Sequence, residues 1–256
     1  MTESHGTNAR KVVAIIQARM GSTRFPGKAL ADLEGKAVLQ WVVEATSAVG
    51  EIDQVVVATT TESEDSAIED WCGSFNLDCF RGEPDDVLKR YFDCASEYGA
   101  THIVRITADC PLLDTSTVET VVRRGLADGA DYFYSSADFP DGFDSEGFTF
   151  GALTIAHKNA KLASEREHVT SYFKNNSDDF RLQEVSLFAN LGHLRVTLDY
   201  PDDYSLIVAV LNKLATKNLQ PNATNIIDVL SEHESIRALN AHIRRNDGYI
   251  RSVAAD

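Results

Sequence analysis

The chain has 256 residues, which is enough for one α/β domain with a substantial core. Hydrophobic residues make up 43% and charged residues 25%, as in an ordinary globular protein. The 24 Lys and Arg against 39 Asp and Glu give a formal charge of −15, which argues against a nucleic-acid-binding protein. A local cluster of cations can still create a site for a small phosphate ligand.

The sequence contains no recognisable export signal or membrane span. Residues 1–10 lack an apolar stretch, and no apolar run reaches the ~18 residues that a transmembrane helix needs. The spacing of Cys72, Cys79, Cys94 and Cys110 contains no CxxC pair, which favours reduced thiols over a zinc site. We therefore expect a cytoplasmic protein that binds neither membrane nor nucleic acid, with a flexible N-terminus over residues 1–10.

In the first half of the chain, short β-branched runs alternate with segments of helical periodicity. They predict strands over residues 11–17, 54–58, 78–81 and 102–106, and helices over residues 37–49, 62–75, 85–98 and 115–127. Asp114 is placed to cap the last of these helices. The alternation predicts a Rossmann-like three-layer α/β sandwich with a mainly parallel sheet, in which ligands bind at the carboxyl ends of the strands.

The second half of the chain has a less regular pattern. Its predicted elements are short strands and loops over residues 131–150, a helix over 164–174, strands over 181–188 and 194–198, and helical segments over 201–214 and 222–245. Pro201 suits the first position of a helix. We interpret residues 11–256 as a single domain with a small inserted lobe at about residues 133–195.

The segment after the first predicted strand carries residue types that bind phosphate. It reads QARMGSTRFPGK over residues 17–28, and its two glycines let backbone N–H groups approach an anion. It is not a Walker A loop, because five residues separate Gly21 from Gly27 and because Ala29, not Ser or Thr, follows Lys28. From these residues alone, both a phosphate-binding loop and a solvated polar turn remain open.

The stretch ARMGSTRFPGKAL resembles the signature of the cytidylyltransferases that make CMP-activated sugar acids, such as 3-deoxy-manno-octulosonate and acylneuraminate cytidylyltransferases. It is most similar to the branch of spore-coat polysaccharide synthesis. Further stretches agree in the same order: VVVATTTESEDSAIE, FRGEPDDVLKRY, VRITADCPLLD, EREHVTSY and LRVTLDYPDDY. The resemblance covers roughly residues 11–212. It implies a nucleotidyltransferase domain, usually dimeric through the inserted lobe, that transfers CMP from CTP with release of pyrophosphate for cell-surface glycan or related biosynthesis.

The resemblance also implies roles for matching positions. The implied catalytic residues are Arg19, Lys28 and Asp109. The implied nucleotide-binding residues are Ala18, Gly21, Ser22, Thr23 and Arg24 at the loop, with Ala58, Thr59, Arg81 and Gly82 near the base and ribose. Asp109 and Asp199 match metal ligands. Mg²⁺ is the expected metal, because it binds one or two carboxylates together with phosphate oxygens and separates the acids from the tetra-anionic triphosphate.

Polar residues of the predicted lobe are candidates for binding a small anionic acceptor, which is a sugar acid, a phosphorylated sugar or polyol, or a phosphonate. These candidates are Asp144, Glu146, Arg166, His168 and Arg195. The related branch usually has Arg where this chain has Asp141, so this chain lacks one cation for the acceptor. Two alternatives stay open: a nucleotidyltransferase of the NDP-sugar type that uses another NTP, and a non-catalytic nucleotide-binding regulatory module.

Overall fold

The computed structural model describes residues 9–254 and residue 256. The flexible N-terminus predicted for residues 1–10 therefore lies mostly outside the described residues. Within the described part, no helix is both long enough and apolar enough to cross a membrane.

A seven-stranded sheet forms the centre of the described chain. Its strands are β1 (Val12–Gln17), β4 (Gln54–Thr60), β5 (Asp78–Gly82), β6 (His102–Thr107), β7 (Tyr132–Ser135), β8 (Glu146–Thr149) and β9 (Leu182–Val185). They lie in the order β5-β4-β1-β6-β8-β7-β9, and a separate two-stranded sheet pairs β2 (Asp32–Leu33) with β3 (Lys36–Ala37). Only the pairs that β8 makes with β6 and β7 are antiparallel in the large sheet. The mainly parallel α/β sheet predicted from the sequence is confirmed.

Helices pack on both faces of the large sheet. The helices of the described chain are α1 (Val38–Ser47), α2 (Ser66–Ser74), α3 (Val87–Glu97), α4 (Thr115–Ala127), α5 (Phe150–Asn159), α6 (Ala163–His168), α7 (Ser171–Asn175), α8 (Pro201–Thr216), α9 (Ala223–Glu232), α10 (Glu234–Arg237) and α11 (Asp247–Val253). Asp114 accepts a hydrogen bond from the backbone N–H of Thr117 and so caps α4 as predicted. Pro201 occupies the start of α8, where a missing N–H costs nothing.

The alternation of side chains along β1 explains the three layers. Val12, Ala14 and Ile16 pack into one hydrophobic core with α1, α2, α4, α8 and α9. Val13 and Ile15 point to the opposite face and pack into a second core with α3, α5 and α7. A strand that is buried on both faces needs a continuous apolar run, and VVAIIQ supplies one.

Three predictions for the second half are wrong in detail. Residues 194–198 form no strand; they make one isolated bridge, between Asp141 and Arg195. The predicted helix over residues 164–174 is two short helices, α6 and α7, because Val169 lies between them with φ 57°. The helical tail of residues 222–245 ends at Arg237 and continues without helix to residue 246. Strands β7, β8 and β9 of the predicted lobe extend the main sheet.

Candidate active site

The loop after β1 is held in a defined conformation at the carboxyl end of the sheet. The N–H of Ala18 donates to the carbonyl of Ala58 at the end of β4, over 3.1 Å, and the N–H of Met20 donates to Asp65 over 2.6 Å. Gly27 has φ 72°, a left-handed conformation that favours glycine, and its N–H donates to the carbonyl of Met20. The left-handed conformation at Gly27 therefore serves the loop's shape.

A cavity of about 480 Å³, here called the loop cavity, lies between this loop and the ends of β1 and β6. Its lining contains the three cations Arg19, Arg24 and Lys28 and the two acids Asp109 and Asp199. The structure therefore brings together, at one edge of the sheet, residues that are up to 180 positions apart in the sequence.

The two acids meet because the irregular segment before α8 runs beside the turn after β6. The N–H of Leu198 donates to the carbonyl of Asp109 over 2.7 Å, and the Thr197 hydroxyl donates to the same oxygen over 3.1 Å. These bonds fix the position of Asp199 relative to Asp109. The predicted strand here is replaced by an extended segment whose backbone bonds serve the site.

Lys28 lies between the two acids. Its Nζ donates to Asp109 Oδ2 over 3.0 Å, to Asp199 Oδ1 over 2.7 Å and to the carbonyl of Leu198 over 2.8 Å. Burial acts to lower the pKa of Lys28, but the charges of Asp109 and Asp199 outweigh it and raise that pKa above its usual value. Burial likewise opposes ionisation of Asp109, yet the Lys28 charge and a hydrogen bond from Thr107 lower its pKa to about 2. Lys28 and Asp109 are therefore both charged at neutral pH.

Arg24 adds a second cation at Asp199. Its Nη2 lies 3.1 Å from Asp199 Oδ1, and its guanidinium lies 5.2 Å from the centre of the Tyr200 ring. Burial opposes the charged form, but Asp199 raises the pKa of Arg24. Arg19 is exposed at the mouth of the same cavity. The lining thus contains three cations and, with Glu167, three acids, so positive charge is concentrated here far above the average of a chain of net charge −15.

A second cavity of about 630 Å³, here called the lobe cavity, adjoins the first and shares Thr107 with it. Asp144, Glu146 and His168, three of the predicted acceptor residues, line it. The two cavities therefore place candidate nucleotide-binding and acceptor-binding residues side by side.

The floor of the lobe cavity is a buried ionic network. Arg105 Nη1 lies 2.6 Å from Glu146 Oε1, and the Tyr132 hydroxyl donates to Glu146 Oε2 over 2.6 Å. The Thr170 hydroxyl donates to Glu146 over 3.1 Å. Burial opposes ionisation of Glu146, but Arg105 and Lys174 lower its pKa. Because its oxygens already have three partners, Glu146 orients the network, and the side chains around it remain for a ligand.

Several polar atoms around the lobe cavity lack partners. Within the described chain, Oγ of Ser136 and of Ser145 and Nε of Arg105 are buried without a hydrogen bond. Native proteins rarely leave such atoms unpaired, because each costs about 1–3 kcal/mol. A serine hydroxyl reaches a new partner by one side-chain rotation. The cavity therefore offers hydrogen-bonding groups that a polar ligand can satisfy.

The backbone is strained beside this cavity. Val169 is fully buried and has φ 57° and ψ −61°, a conformation that β-branched residues rarely adopt. Its neighbours His168 and Thr170 both line the lobe cavity. Burial is the largest influence that lowers the pKa of His168, which favours a neutral imidazole able to donate and accept. Strain of this kind, of order 1–3 kcal/mol, is concentrated at functional sites.

The loop positions predicted to bind nucleotide lie at the loop cavity, whereas the base and ribose positions do not line it. The lining includes Ala18, Gly21, Ser22 and Thr23 beside the three cations. The second group lies at the ends of β4 and β5: Ala58, Thr59, Arg81 and Gly82. Arg81 donates to the carbonyls of Thr60 and Glu62 and forms an ion pair of 2.8 Å with Glu69. Its guanidinium therefore ties β5 to the start of α2.

Two predicted acceptor contacts lie away from the lobe cavity. Arg195 is buried and donates to Asp203 over 2.8 Å and to Asp141 over 2.7 Å. Arg166 donates to Asp86 over 2.9 Å and to the carbonyl of His157 over 3.0 Å. Because these partners occupy both guanidinium groups, we propose structural roles for Arg195 and Arg166, and their predicted acceptor-binding roles stay untested. Asp141, expected to represent a lost acceptor contact, instead balances the charge of Arg195.

Sequence reasoning missed other lining residues. Glu167 and Ser252 line the loop cavity, and Lys174, Arg245 and Tyr249 line the lobe cavity. Lys174 lies 5.1 Å from the centre of the Tyr134 ring, another lining residue. Glu167 lies within the EREHVTSY stretch, which gave a signal for it, whereas the other four positions lie outside the quoted stretches and only the folded chain identifies them.

A parallel α/β sheet with a cationic glycine-bearing loop after its first strand and two converging acids defines a nucleotidyltransferase. The chain belongs to the cytidylyltransferase family, whose model matches residues 13–236.

Two relatives align over most of the chain. It is 34% identical to an uncharacterised protein of Methanocaldococcus jannaschii, over 92% of this chain and 96% of that protein. It is 29% identical to the spore coat polysaccharide biosynthesis protein SpsF of Bacillus subtilis, over 87% of this chain and 95% of SpsF.

Solved structures agree with the fold. A cytidylyltransferase from Leptospira borgpetersenii superposes with a TM-score of 0.83 at 30% identity, covering 89% of this chain and 97% of that one. A CMP:2-keto-3-deoxy-manno-octonic acid synthetase complexed with CTP superposes with a TM-score of 0.62 at 18% identity, covering 79% of this chain and 99% of that one.

Proposed function

We propose that this chain transfers CMP from CTP to a small anionic acceptor and releases pyrophosphate. One observation carries the proposal: in a chain of the cytidylyltransferase family, three cations converge with Asp109 and Asp199 on the loop cavity, beside a second polar cavity. The Bacillus relative is named for spore coat polysaccharide biosynthesis, and the synthetase of the same fold was solved with CTP. The name of the Bacillus relative supports a role in cell-surface glycan synthesis, and the complex supports CTP as the nucleotide.

The loop cavity suits a triphosphate. Arg19 and Lys28 bind its oxygens in the proposal, with Arg24 and the N–H groups of the glycine-bearing loop assisting. Ala58, Thr59, Arg81 and Gly82 remain proposed neighbours of the base and ribose, reached from the ends of β4 and β5.

The acids fit a divalent cation. Asp109 Oδ2 and Asp199 Oδ1 both lie within 3.0 Å of one nitrogen, Lys28 Nζ, so two carboxylates converge on a single point. Mg²⁺ typically uses one or two carboxylates together with phosphate oxygens and waters. When bound, Mg²⁺ neutralises phosphate charge at the reacting centre. A structure of the same fold, 16% identical, was solved with manganese.

The chemistry needs no protein nucleophile. An acceptor oxygen attacks the α-phosphorus in line, the bond from that phosphorus to the bridging oxygen breaks, and pyrophosphate leaves. Arg19 and Lys28 stabilise the charge on the departing pyrophosphate, and the two cavities hold the reactants in contact. Positioning and charge stabilisation of this kind supply most of the catalysis in phosphoryl transfer.

The lobe cavity is the proposed acceptor site. Its unpaired Ser136 and Ser145 hydroxyls match a ligand with several hydroxyl groups. Lys174 and Arg245 offer cations to a carboxylate or phosphate, and His168 offers an imidazole. A sugar acid or a phosphorylated sugar or polyol has both features, and a phosphonate has the second. We further propose a cytoplasmic homodimer that associates through the lobe at residues 133–195.

The test measures pyrophosphate release from CTP, UTP, ATP and GTP, with Mg²⁺ or with EDTA. The acceptor panel contains 3-deoxy-manno-octulosonate, N-acetylneuraminate, phosphorylated sugars and polyols, and phosphonates. We expect release with CTP and one acceptor, abolished by EDTA. Preference for another NTP would instead favour the NDP-sugar type. Tight CTP binding without release from any pair would favour the regulatory module, and absence of CTP binding by calorimetry would refute the proposal.

A further inference from the structure

The chain beyond the family model returns to the active site. The family model ends at residue 236, and the described residues 245–254 and 256, here called the C-terminal segment, lie beyond it. Arg245, Asn246 and Tyr249 of this segment line the lobe cavity, and Ser252 lines the loop cavity. The segment thus contributes to the walls of both cavities.

Helix α6 carries most contacts of the segment. The Ser252 hydroxyl donates to Glu167 over 2.6 Å, and the Tyr249 ring meets the His168 ring edge-on at 5.1 Å. The N–H of Ser164 donates to Asp256 over 2.9 Å. Glu167 lines the loop cavity and His168 the lobe cavity. Each partner on α6 is therefore itself part of the site or within one turn of it.

Arg245 anchors the start of the segment. Its Nη1 donates to the carbonyls of Phe139 over 2.8 Å, Ala137 over 3.0 Å and Gly192 over 3.3 Å. Gly192 permits this meeting, because a Cβ there would lie 2.1 Å from the Ala137 carbonyl oxygen. Arg245 Nη2 lies 3.9 Å from Asp144, another lining residue. The Arg245 guanidinium therefore fixes the position at which the C-terminal segment meets the lobe cavity.

The rest of the segment is lightly held. Tyr249, Ile250 and Val253 expose 38%, 37% and 45% of their surface, so little apolar area keeps α11 in place. Elements with few buried apolar contacts open at low free-energy cost. A firm anchor at Arg245 followed by a lightly held helix suits a cover that moves between open and closed positions.

We propose that the C-terminal segment is a cover that closes over the acceptor and excludes water from the α-phosphorus of CTP. The proposal rests on the proposed cytidylyl transfer. Without the cover, water takes the acceptor's place: its oxygen bonds to the α-phosphorus, pyrophosphate leaves, and CMP forms with loss of a proton to solvent. Closure of a lid protects phosphoryl and nucleotidyl groups in this way. Tyr249 and Asn246 then shape the acceptor site on the side away from the sheet.

The experiment compares the full chain with a chain ending at Arg244 and with Arg245→Gln and Tyr249→Ala. The control is Arg244→Gln, which changes a neighbouring exposed arginine. The probe is CTP with Mg²⁺ and no acceptor, followed as CMP formation. We expect CMP formation to rise at least fivefold in the truncated chain and in Arg245→Gln, and to stay within twofold in the control. Calorimetric CTP affinity stays within threefold in all of them.

One further readout completes the test. In the full chain, hydrogen exchange of residues 245–254 slows on binding CTP with 3-deoxy-manno-octulosonate or N-acetylneuraminate if the segment closes. Equal CMP formation in all chains and unchanged exchange in the full chain, with CTP affinity intact, would refute the cover while leaving the proposed function standing. Loss of CTP binding in the unmodified chain would instead refute the proposed function. If the truncated chain does not fold, the comparison of CMP formation between Arg245→Gln and the Arg244→Gln control tests the cover by itself.

Discussion

Replacing Lys28 by methionine tests the electrostatic reasoning at the loop cavity. The substitution keeps the length of the side chain but leaves Asp109 and Asp199 facing each other without their shared cation. Lys28 is among the causes that lower the pKa of Asp109 from 3.8 to about 2. At about 1.4 kcal/mol for each pH unit, that difference corresponds to roughly 2.5 kcal/mol. We therefore expect Lys28→Met to reduce the free energy of unfolding by about 2–4 kcal/mol at pH 7.

The lowered pKa of Asp109 also determines how the stability difference between the two proteins changes with pH. Because the folded-state pKa of Asp109 lies below its unfolded value, its stabilising contribution is present above about pH 4 and is lost as the pH falls toward 2. In Lys28→Met, Asp109 loses the cation that lowers its pKa, so that pKa rises and acid relieves the repulsion between Asp109 and Asp199. The stability difference between the two proteins should therefore shrink as the pH falls below about 4.

Urea unfolding at pH 7, 5 and 3, with and without Mg²⁺, measures both effects. Mg²⁺ should stabilise Lys28→Met more than the unmodified protein, because two acids without a cation bind it more tightly. Lys36→Met is the matched control: Lys36 pairs with Glu44 at the surface, and its loss should change stability by less than about 1 kcal/mol. A Lys28→Met protein as stable as the original at pH 7, or a pH-independent difference, would refute the reasoning.

Three further substitutions separate structural from ligand-binding roles. Arg195→Met should lower the free energy of unfolding by about 3–5 kcal/mol, because it leaves the buried Asp203 unpaired, and denaturant unfolding measures this. Arg166→Ala should leave the KM for the acceptor unchanged in steady-state kinetics, because the guanidinium donates to Asp86. A tenfold higher KM would show that Arg166 contacts the acceptor. Gly142→Ala should lower stability by more than about 2 kcal/mol, because Gly142 has φ 107° and its Cβ would crowd a neighbouring backbone; an unchanged melting temperature would contradict this.

The sequence predicted the parallel half of the fold well, for a local reason. Runs such as VVAIIQ in β1 and QVVVATT in β4 are β-branched and apolar throughout, so burial on both faces is visible in the residues themselves. The LRVTL stretch has the same character, yet it forms one bridge because its backbone partners are the carbonyl of Asp109 and the residue Asp141. Propensity indicates an extended chain but not which neighbour it will pair with.

In the candidate site, too, the residues of one local segment were predictable from the sequence, and the residues whose partners are distant were not. The phosphate-binding candidates follow one loop, so their clustering was predictable from spacing alone, and the structure brings Arg19, Arg24 and Lys28 to one cavity. The acceptor candidates were charged residues scattered over the lobe. Whether Arg195 faces a ligand or Asp203 depends on packing across the fold, and no local pattern records it. The strained Val169 likewise has no sequence signal.

The charges at the loop cavity favour a bound metal in the proposed reaction. The lining contains three cations, Arg19, Arg24 and Lys28, and three acids, Asp109, Glu167 and Asp199, so the protein side of the cavity has no net excess of positive charge. A tetra-anionic triphosphate would therefore need a further cation, and a Mg²⁺ ion held by Asp109 and Asp199 would supply one. Lys28, which now bridges these two acids, would then be free to bind phosphate, so in the proposed reaction it is the group that would change partners.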